Sequence, residues 1–197
     1  MTGPTGVVAA PYDFRRHDAS ISRTIGFRQV EKGDIERLHA WLNYDHVLPY
    51  WQLNDPLPAF QKHLEEKLTE AHMTPYIGCL DGVPMSYWES YWAADDDLAD
   101  YCEPAPTDQG IHLLIGPPEY LGNGYAIPLL RAMTAFQFTH PETNRILTEP
   151  DVRNDAVIHV FERVGFSAIR EIEMDEKNAL LMECTRDSFI DASGVGR

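Results

Sequence analysis

An apolar run, a glycine-containing turn and a helical pattern in succession limit the folds open to this chain more than any other feature. Residues 111–116 (IHLLIG) are almost continuously apolar, as in a buried central strand. The turn that follows contains Gly122 and Gly124, and apolar residues then recur at helical spacing from Tyr125. Glycines let a backbone approach a ligand closely, and the free N–H groups of a helix N-terminus attract phosphate. The segment predicts a strand, an anion-binding turn and a helix.

The glycine turn does not identify its ligand by itself. It lacks the third glycine of a dinucleotide-binding fingerprint and the Gly-Lys-Ser/Thr of a P-loop, so NAD and ATP are disfavoured. A turn that merely needs glycine is the alternative explanation.

The remaining patterns predict a mixed α/β layout in one domain. Strands are expected at 25–30, on both sides of the turn at 81–82, and at 145–150, 167–174 and 179–186. Helices are expected from Asp34, over 59–72 and over 154–164. Strict strand–helix alternation is missing, which argues against a doubly wound sheet. We expect an extension over 1–24, a domain over 25–190 and a tail over 191–197.

Charge excludes one class of partner. The 197 residues include 31 acidic and 16 basic side chains, for a net charge of −15. A nucleic acid backbone requires a positive surface, so nucleic acid binding is not expected. The acidity fits a well-solvated surface or a field that attracts a cationic substrate.

Other motifs point to a cytoplasmic protein without a metal. No apolar run is long enough to span a membrane, and the N-terminus lacks the pattern of a secretory signal. The three cysteines are far apart without CxxC spacing, and the histidines lack HExxH spacing. We therefore expect neither disulfides nor a metal site.

Residues 154–166 (NDAVIHVFERVGF) supply a second motif about thirty residues after the glycine turn. The pair resembles the two signature segments of the GNAT superfamily of N-acyltransferases. The resemblance implies a GNAT fold, with a central, mostly antiparallel sheet that splays at an acyl-CoA cleft. Acyl-CoA is then a co-substrate, and no tightly bound cofactor is expected. The residues implied in CoA binding are Gly122, Asn123, Gly124, Tyr125, Ala126, Asn154 and Phe161. Glu119 stands where the family usually has Gln or Arg, so phosphate binding would depend mainly on the backbone.

A narrower resemblance extends over residues 27–189. Residues 86–103 (SYWESYWAADDDLADYCE), 108–116 (DQGIHLLIG) and 149–155 (EPDVRND) look like the acyltransferases of hydroxamate siderophore assembly. These enzymes usually transfer an acyl group from CoA to an amine, typically the N-hydroxylated terminal nitrogen of lysine or of a diamine. For this chain we favour an acetyl or succinyl group, on the amine or the N-hydroxylated amine. The resemblance implies His112 as the catalytic base and Asp151 as its carboxylate partner.

Both assignments have a chemical reason and an alternative. A nitrogen that attacks a thioester must lose a proton, and imidazole accepts protons near neutral pH. A histidine packed in an apolar strand is the alternative for His112. A turn or N-cap aspartate is the alternative for Asp151.

Several side chains are candidates for substrate contacts. Trp88, Tyr91 and Trp92 could line the acyl or acceptor channel, although aromatic residues on strands are commonly core residues. Glu89 and Asp95–Asp97 could bind the far ammonium of the acceptor, or the aspartates could belong to a solvated loop. Arg131 and Arg153 could reach CoA phosphates, or lie on the surface.

Three other functions remain open at this point. An aminoglycoside or polyamine N-acetyltransferase would use the same scaffold and charge. A non-catalytic acyl-CoA-binding module would bind CoA without turnover. A protein N-acetyltransferase would need an open groove, and the long 93–110 segment is better suited to cover such a groove.

Overall fold

The computed structural model describes residues 12–193. Its strands are β1 (Phe14–Asp18), β2 (Arg23–Gln29), β3 (Met73–Leu80), β4 (Val83–Trp92), β5 (Gln109–Ile115), β6 (Arg145–Thr148), β7 (Ser167–Glu173) and β8 (Asn178–Thr185). Its helices are α1 (Ile35–Leu42), α2 (Leu48–Trp51), α3 (Leu57–Lys67), α4 (Ala126–Gln137), α5 (Asp155–Val164) and α6 (Arg186–Ser193). Every strand and helix predicted from the sequence is present, with boundaries that move by a few residues.

The strands form one eight-stranded sheet in the order β1-β2-β3-β4-β5-β6-β8-β7. All neighbouring pairs are antiparallel except β5 and β6. That parallel pair is joined only at Gln109–Ile146 and Gly110–Leu147, so the two strands separate beyond these residues. The predicted mixed, mostly antiparallel sheet with a splayed centre is confirmed.

Side-chain alternation on the central strands divides the apolar core between the two faces of the sheet. On β4, Trp88 joins the cluster that packs against α4 and α5, together with Leu129 and Phe161. Tyr87 points to the other face, where it packs with α1 and α3. Glu89 has the same parity as Tyr87, and it pairs in register with His112 of β5. The fold thus directs these two polar side chains to the same face.

The termini differ from the sequence-based boundaries. The extension predicted over 1–24 contains β1, which pairs with β2 at the sheet edge. The exposed middle of β1 is polar, Arg15 to His17, so it carries no apolar alternation. Helix α6 crosses the predicted boundary at residue 190. Residues 1–11 and 194–197 of the predicted extension and tail lie outside the described residues.

None of the helices within residues 12–193 is long and apolar enough to cross a membrane.

Candidate active site

A cleft of about 600 Å³ opens where β5 and β6 separate. Its floor is polar, with His112 of β5 and Glu149 just after β6. Asn154 and Phe161 of α5 lie on one wall. Tyr50 and Trp51 of α2 lie on another, and the β7–β8 turn and the segment after β4 complete the rim. The cleft is large enough for a small molecule.

His112 lies between two buried carboxylates. Its Nδ1 is 3.0 Å from Oε2 of Glu89, and its Nε2 is 2.5 Å from Oε1 of Glu149. Both carboxylates are nearly inaccessible, whereas 27% of the His112 side chain is exposed to the cleft. The rings of Trp51 and Tyr91 pack around the imidazole, with centroid distances of 6.3 and 4.9 Å. Each ring nitrogen faces an acceptor, which is the arrangement that favours an imidazolium.

Two lysines extend this arrangement into a chain of alternating charge. Lys67 Nζ lies 2.7 Å from Oε1 of Glu89, and Lys177 Nζ lies 3.4 Å from Oε1 of Glu149. The hydroxyl of Tyr87 donates to Glu89 at 2.7 Å, and that of Tyr91 donates to Glu149 at 3.1 Å. We call the five charged residues, Lys67, Glu89, His112, Glu149 and Lys177, the charge chain. Each buried charge in it has an opposite partner, which offsets the cost of burial.

The pKa values follow from these contacts. Burial alone would lower the pKa of His112, but the carboxylates of Glu149 and Glu89 outweigh it and raise the pKa to about 9. Burial would raise the pKa of Glu149, but His112 and Lys177 lower it to about 2. The pKa of Glu89 is held well below its usual value, since Lys67 and His112 outweigh its burial. At neutral pH, His112 is therefore predominantly cationic.

A glycine allows Tyr91 to reach this centre. Gly110 is opposite Tyr91 in the β4–β5 register, and a Cβ on Gly110 would lie 2.0 Å from the tyrosine ring. The ring therefore crosses the β5 backbone where only glycine fits. Its hydroxyl then lies within 3.2 Å of both Glu149 and His112 Nε2.

The predicted pairing of His112 with Asp151 is absent from the structure. Asp151 lines the same cleft, but its carboxylate accepts from the Arg153 backbone N–H at 2.8 Å and from its guanidinium at 2.6 and 2.9 Å. This is the turn aspartate that the sequence left open as an alternative. Glu149, two residues earlier, is the carboxylate that reaches the imidazole. The Arg153 guanidinium is largely exposed and bound to Asp151, and it is not among the cleft-lining residues.

Two predicted substrate contacts, Trp88 and Trp92, have other positions, and a third, Glu89, has other partners. Trp88 is fully buried, donates to Ser86 Oγ at 2.8 Å and packs on Phe27, because its parity on β4 directs it into the core. Trp92 has the same parity and packs against His140, 4.9 Å away. Glu89 does line the cleft, but Lys67, Tyr87 and His112 occupy its carboxylate. It holds the histidine in place of the predicted ammonium.

The glycine turn has the conformation that its sequence predicts. Gly122 and Gly124 have φ values of +72° and +76°, and the space around both is open. Asn123 donates to the carbonyl oxygens of Glu119 and Leu121, which fixes the turn. Tyr125 precedes α4 without a side-chain cap, so the N–H groups that begin at Ala126 have no side-chain acceptor there. These features suit a phosphate.

The second motif, over residues 154–166, contributes Asn154 and Phe161 to the wall of the cleft. The Asn154 side chain caps α5 by accepting from the Val157 N–H at 3.2 Å. Phe161 is buried, and its ring packs against Phe166 at 4.9 Å. Both residues also line the cleft beside the splayed strands.

Sequence reasoning missed four residues of this centre: Lys67, Glu149, Lys177 and Trp51. Glu149 had a signal, since it precedes Pro150 at the end of a predicted strand and matches Asp151 in side-chain parity. Lys67 and Lys177 are far from His112 in sequence and have no motif of their own. Among residues 12–193, no group of three or more His, Cys, Asp or Glu side chains is arranged to hold a metal ion.

Comparison with known proteins identifies similar acetyltransferases. The chain is 32% identical over 184 residues to N(6)-hydroxylysine O-acetyltransferase of Escherichia coli, which covers 92% of this chain and 58% of that protein. It is 30% identical over 165 residues to N-hydroxyputrescine acetyltransferase of Acinetobacter baumannii, covering 82% of this chain and 77% of that protein. The chain thus spans little more than half the length of the Escherichia coli relative.

Solved structures share the fold. An uncharacterized protein from Bacillus halodurans superposes with a TM-score of 0.90 at 45% identity, over 94% of this chain and 95% of that one. Aminoglycoside acetyltransferase AAC(6')-Ib in complex with coenzyme A has a TM-score of 0.77 at 30% identity, over 85% of this chain and 98% of that one. A family model described as an acetyltransferase (GNAT) domain matches residues 30–174. This match covers well over half of the sequence, and the chain belongs to the GNAT acetyltransferase family.

Proposed function

We propose that this protein transfers an acyl group from acyl-CoA to the N-hydroxylated terminal nitrogen of lysine or of a diamine, as in hydroxamate siderophore assembly. One observation carries the proposal: His112 lies partly exposed on the floor of the cleft, between two carboxylates and beside the CoA-motif residues of α5. The hydroxylysine and hydroxyputrescine acetyltransferases among the relatives support this class of acceptor.

The chemistry proceeds by direct attack. The pyrophosphate of CoA binds at the turn over 122–126, and the pantetheine arm lies along Asn154 and Phe161. The thioester then enters the opening between β5 and β6. The acceptor nitrogen attacks the thioester carbonyl, a C–N bond forms, the C–S bond breaks, and CoA leaves as the thiolate. The proton lost by nitrogen passes to His112, and no cysteine forms a covalent intermediate.

His112 must first be neutral to accept that proton. With a pKa of about 9, only about one molecule in a hundred carries neutral His112 at pH 7. An N-hydroxyl group lowers the basicity of an amine, so the acceptor itself is neutral near pH 7. The attacking species is therefore the neutral hydroxylamine, and the base is the deprotonated fraction of His112. Turnover should rise with pH up to about 9.

A mixture of acetyl-CoA with N6-hydroxylysine, N-hydroxycadaverine or kanamycin tests the function. We expect acylation of a hydroxylamine, detected by mass spectrometry, with kanamycin a poor acceptor. His112→Ala should lower kcat by a hundredfold or more, because general base catalysis contributes that much. Its affinity for CoA, measured by calorimetry, should stay nearly unchanged. Near-normal turnover of His112→Ala would refute the base assignment.

The position of the acyl group requires its own measurement, because the Escherichia coli relative is named as an O-acetyltransferase. Acylation on nitrogen gives a hydroxamate, which chelates Fe(III) through its carbonyl and hydroxamate oxygens and produces a coloured complex. Acylation on oxygen blocks one of these oxygens. We expect the coloured complex; a product of the same mass that does not chelate Fe(III) would contradict N-acylation. Acetylation of kanamycin alone would favour the aminoglycoside alternative.

A further inference from the structure

The cleft is lined by far more acidic than basic groups. Its lining residues include nine carboxylates, two lysines and three histidines. The carboxylates belong to Glu70, Glu89, Asp95, Asp96, Asp97, Glu149, Asp151, Asp175 and Glu176, and the basic groups to Lys67, Lys177, His63, His72 and His112. An acceptor in this cleft therefore experiences a strongly negative potential.

Four of the five basic groups are already occupied by carboxylates of the protein. Lys67 binds Glu89, and Lys177 binds Glu149. His112 lies between those same two carboxylates. His72 Nε2 is 3.5 Å from Asp96 and 3.8 Å from Glu70. His63 lies on α3 at the outer rim, where its residue is exposed. The described lining thus offers no lysine or arginine to a carboxylate of the substrate.

Unlike those basic groups, four acidic groups at the rim of the cleft are unpaired within the described residues. Within residues 12–193, the side-chain carboxylates of Asp95, Asp97, Asp175 and Glu176 have no hydrogen-bond or ion-pair partner, and all four residues are exposed. Asp95 and Asp97 come from the segment after β4, and Asp175 and Glu176 come from the β7–β8 turn. Two separate segments therefore present unpaired negative charge to the mouth of the same cleft.

We infer that the acceptor carries a second ammonium and no carboxylate, which makes it an N-hydroxylated diamine in preference to N6-hydroxylysine. This inference rests on the proposed function and chooses between its two acceptor classes. With the hydroxylamine nitrogen at His112, the far end of the acceptor points to the acidic rim. A lone ammonium there is attracted by the rim. The carboxylate of an amino acid would be repelled by the rim and would lose water without gaining a cationic partner.

Three acceptors of matched length separate these effects: N-hydroxycadaverine, N6-hydroxylysine and N6-hydroxylysine amide. The amide retains the lysine skeleton and the α-ammonium but lacks the carboxylate charge. We expect kcat/KM with acetyl-CoA to be about tenfold higher for the diamine and for the amide than for N6-hydroxylysine. Added salt should reduce this difference in kcat/KM between the acceptors, because salt screens exposed charges.

Variants of the rim test the same inference from the protein side. Asp95→Asn/Asp97→Asn should raise KM for N-hydroxycadaverine several-fold and leave kcat nearly unchanged, because these groups are remote from the reacting nitrogen. Glu36→Gln/Glu142→Gln removes the same charge from exposed residues outside the cleft lining and should leave KM unchanged. A similar rise of KM in both double variants would show a general effect of net charge and would refute a local role for the rim.

The outcomes for this inference and for the proposed function are distinct. A kcat/KM for N6-hydroxylysine that equals or exceeds that of both the diamine and the amide overturns the inference and leaves the proposed activity intact. Failure to acylate all three acceptors overturns the proposed function itself.

Discussion

Individual side chains at the centre of the cleft determine the protonation state of His112. Glu149 provides the shorter of its two hydrogen bonds, at 2.5 Å, and is the first of the partners that raise its pKa. Glu149→Gln keeps an acceptor oxygen but removes a negative charge. We expect the His112 pKa to fall toward 6.5, so the rising limb of kcat/KM should move to lower pH. NMR titration of the ring should show the same shift. An unchanged titration in this variant would contradict the assignment.

Lys67 and Glu149 have opposite effects on the pKa of His112. Its ammonium lies 2.7 Å from Glu89, which in turn bonds His112 Nδ1. Lys67→Met removes a cation from the charge chain, so the carboxylates should hold the His112 proton more tightly. The rising limb of kcat/KM should then move to higher pH.

Lys62→Met is the matched control for Lys67→Met. Lys62 lies on the same helix, but it is 79% exposed and pairs only with Glu66 among the described residues. Its removal should leave the pH profile in place. A movement to lower pH in Lys67→Met, or an equal movement in both variants, would show that Lys67 does not act through Glu89.

The residues of the charge chain differ in how far the sequence could predict them. His112 was predictable because it falls within a motif. Glu149 lies two residues before Asp151, and the sequence EPD does not show which of these two carboxylates faces the histidine. Lys67 and Lys177 reach the site only through the packing of α3 and the β7–β8 turn. Sequence spacing contains no information about that packing.

Pairing between β4 and β5 places Glu89 beside His112 and Tyr91 opposite Gly110. Gly110→Ala would place a methyl group inside the ring of Tyr91, so the ring would have to move away from Glu149 and His112. We expect a loss of about 1–3 kcal/mol in the free energy of unfolding, as for other overpacked sites, together with lower kcat. Urea denaturation and steady-state kinetics would measure both.

Gly33→Ala provides the comparison for that change. Gly33 lies before α1, and a Cβ there would meet no atom within 4 Å. The stability of this variant should differ little from that of the unsubstituted protein. If Gly110→Ala is equally well tolerated, the contact with Tyr91 does not constrain the sheet.

Strand and helix patterns were largely readable from the sequence because apolar periodicity reports burial directly. The pattern does not assign the two faces of β4. YWESYW alternates, but aromatic residues occupy both parities, so the pattern does not show which face meets the cleft. Trp88 and Trp92 were expected at the substrate for this reason, whereas Tyr87 and Tyr91 contact the charge chain. The fold of the whole chain, with helices on both sides of β4, resolves the choice.

At the scale of the whole molecule, the charge chain links stability to pH. Glu149 has a folded pKa of about 2 against an ordinary value of 4.5, so its contribution is present above pH 4.5 and is lost as pH falls toward 2. Glu89, whose pKa is also lowered, acts in the same direction. His112 has a folded pKa of about 9 against 6.5, so its contribution is complete below pH 6.5 and is lost as pH rises toward 9.

These opposite dependences predict that the charge chain contributes most to stability between about pH 4.5 and 6.5. Between pH 6.5 and 9, retention of one proton by folded His112 should lower the free energy of unfolding by up to about 1.4 kcal/mol per pH unit. The net charge of −15 adds a general decline with pH, so His112→Gln is needed as a reference. Urea denaturation of both proteins across pH 5 to 9 should give a steeper decline for the unsubstituted protein. Parallel curves would show that His112 binds no extra proton in the folded state, and the assigned pH dependence of catalysis would fail with it.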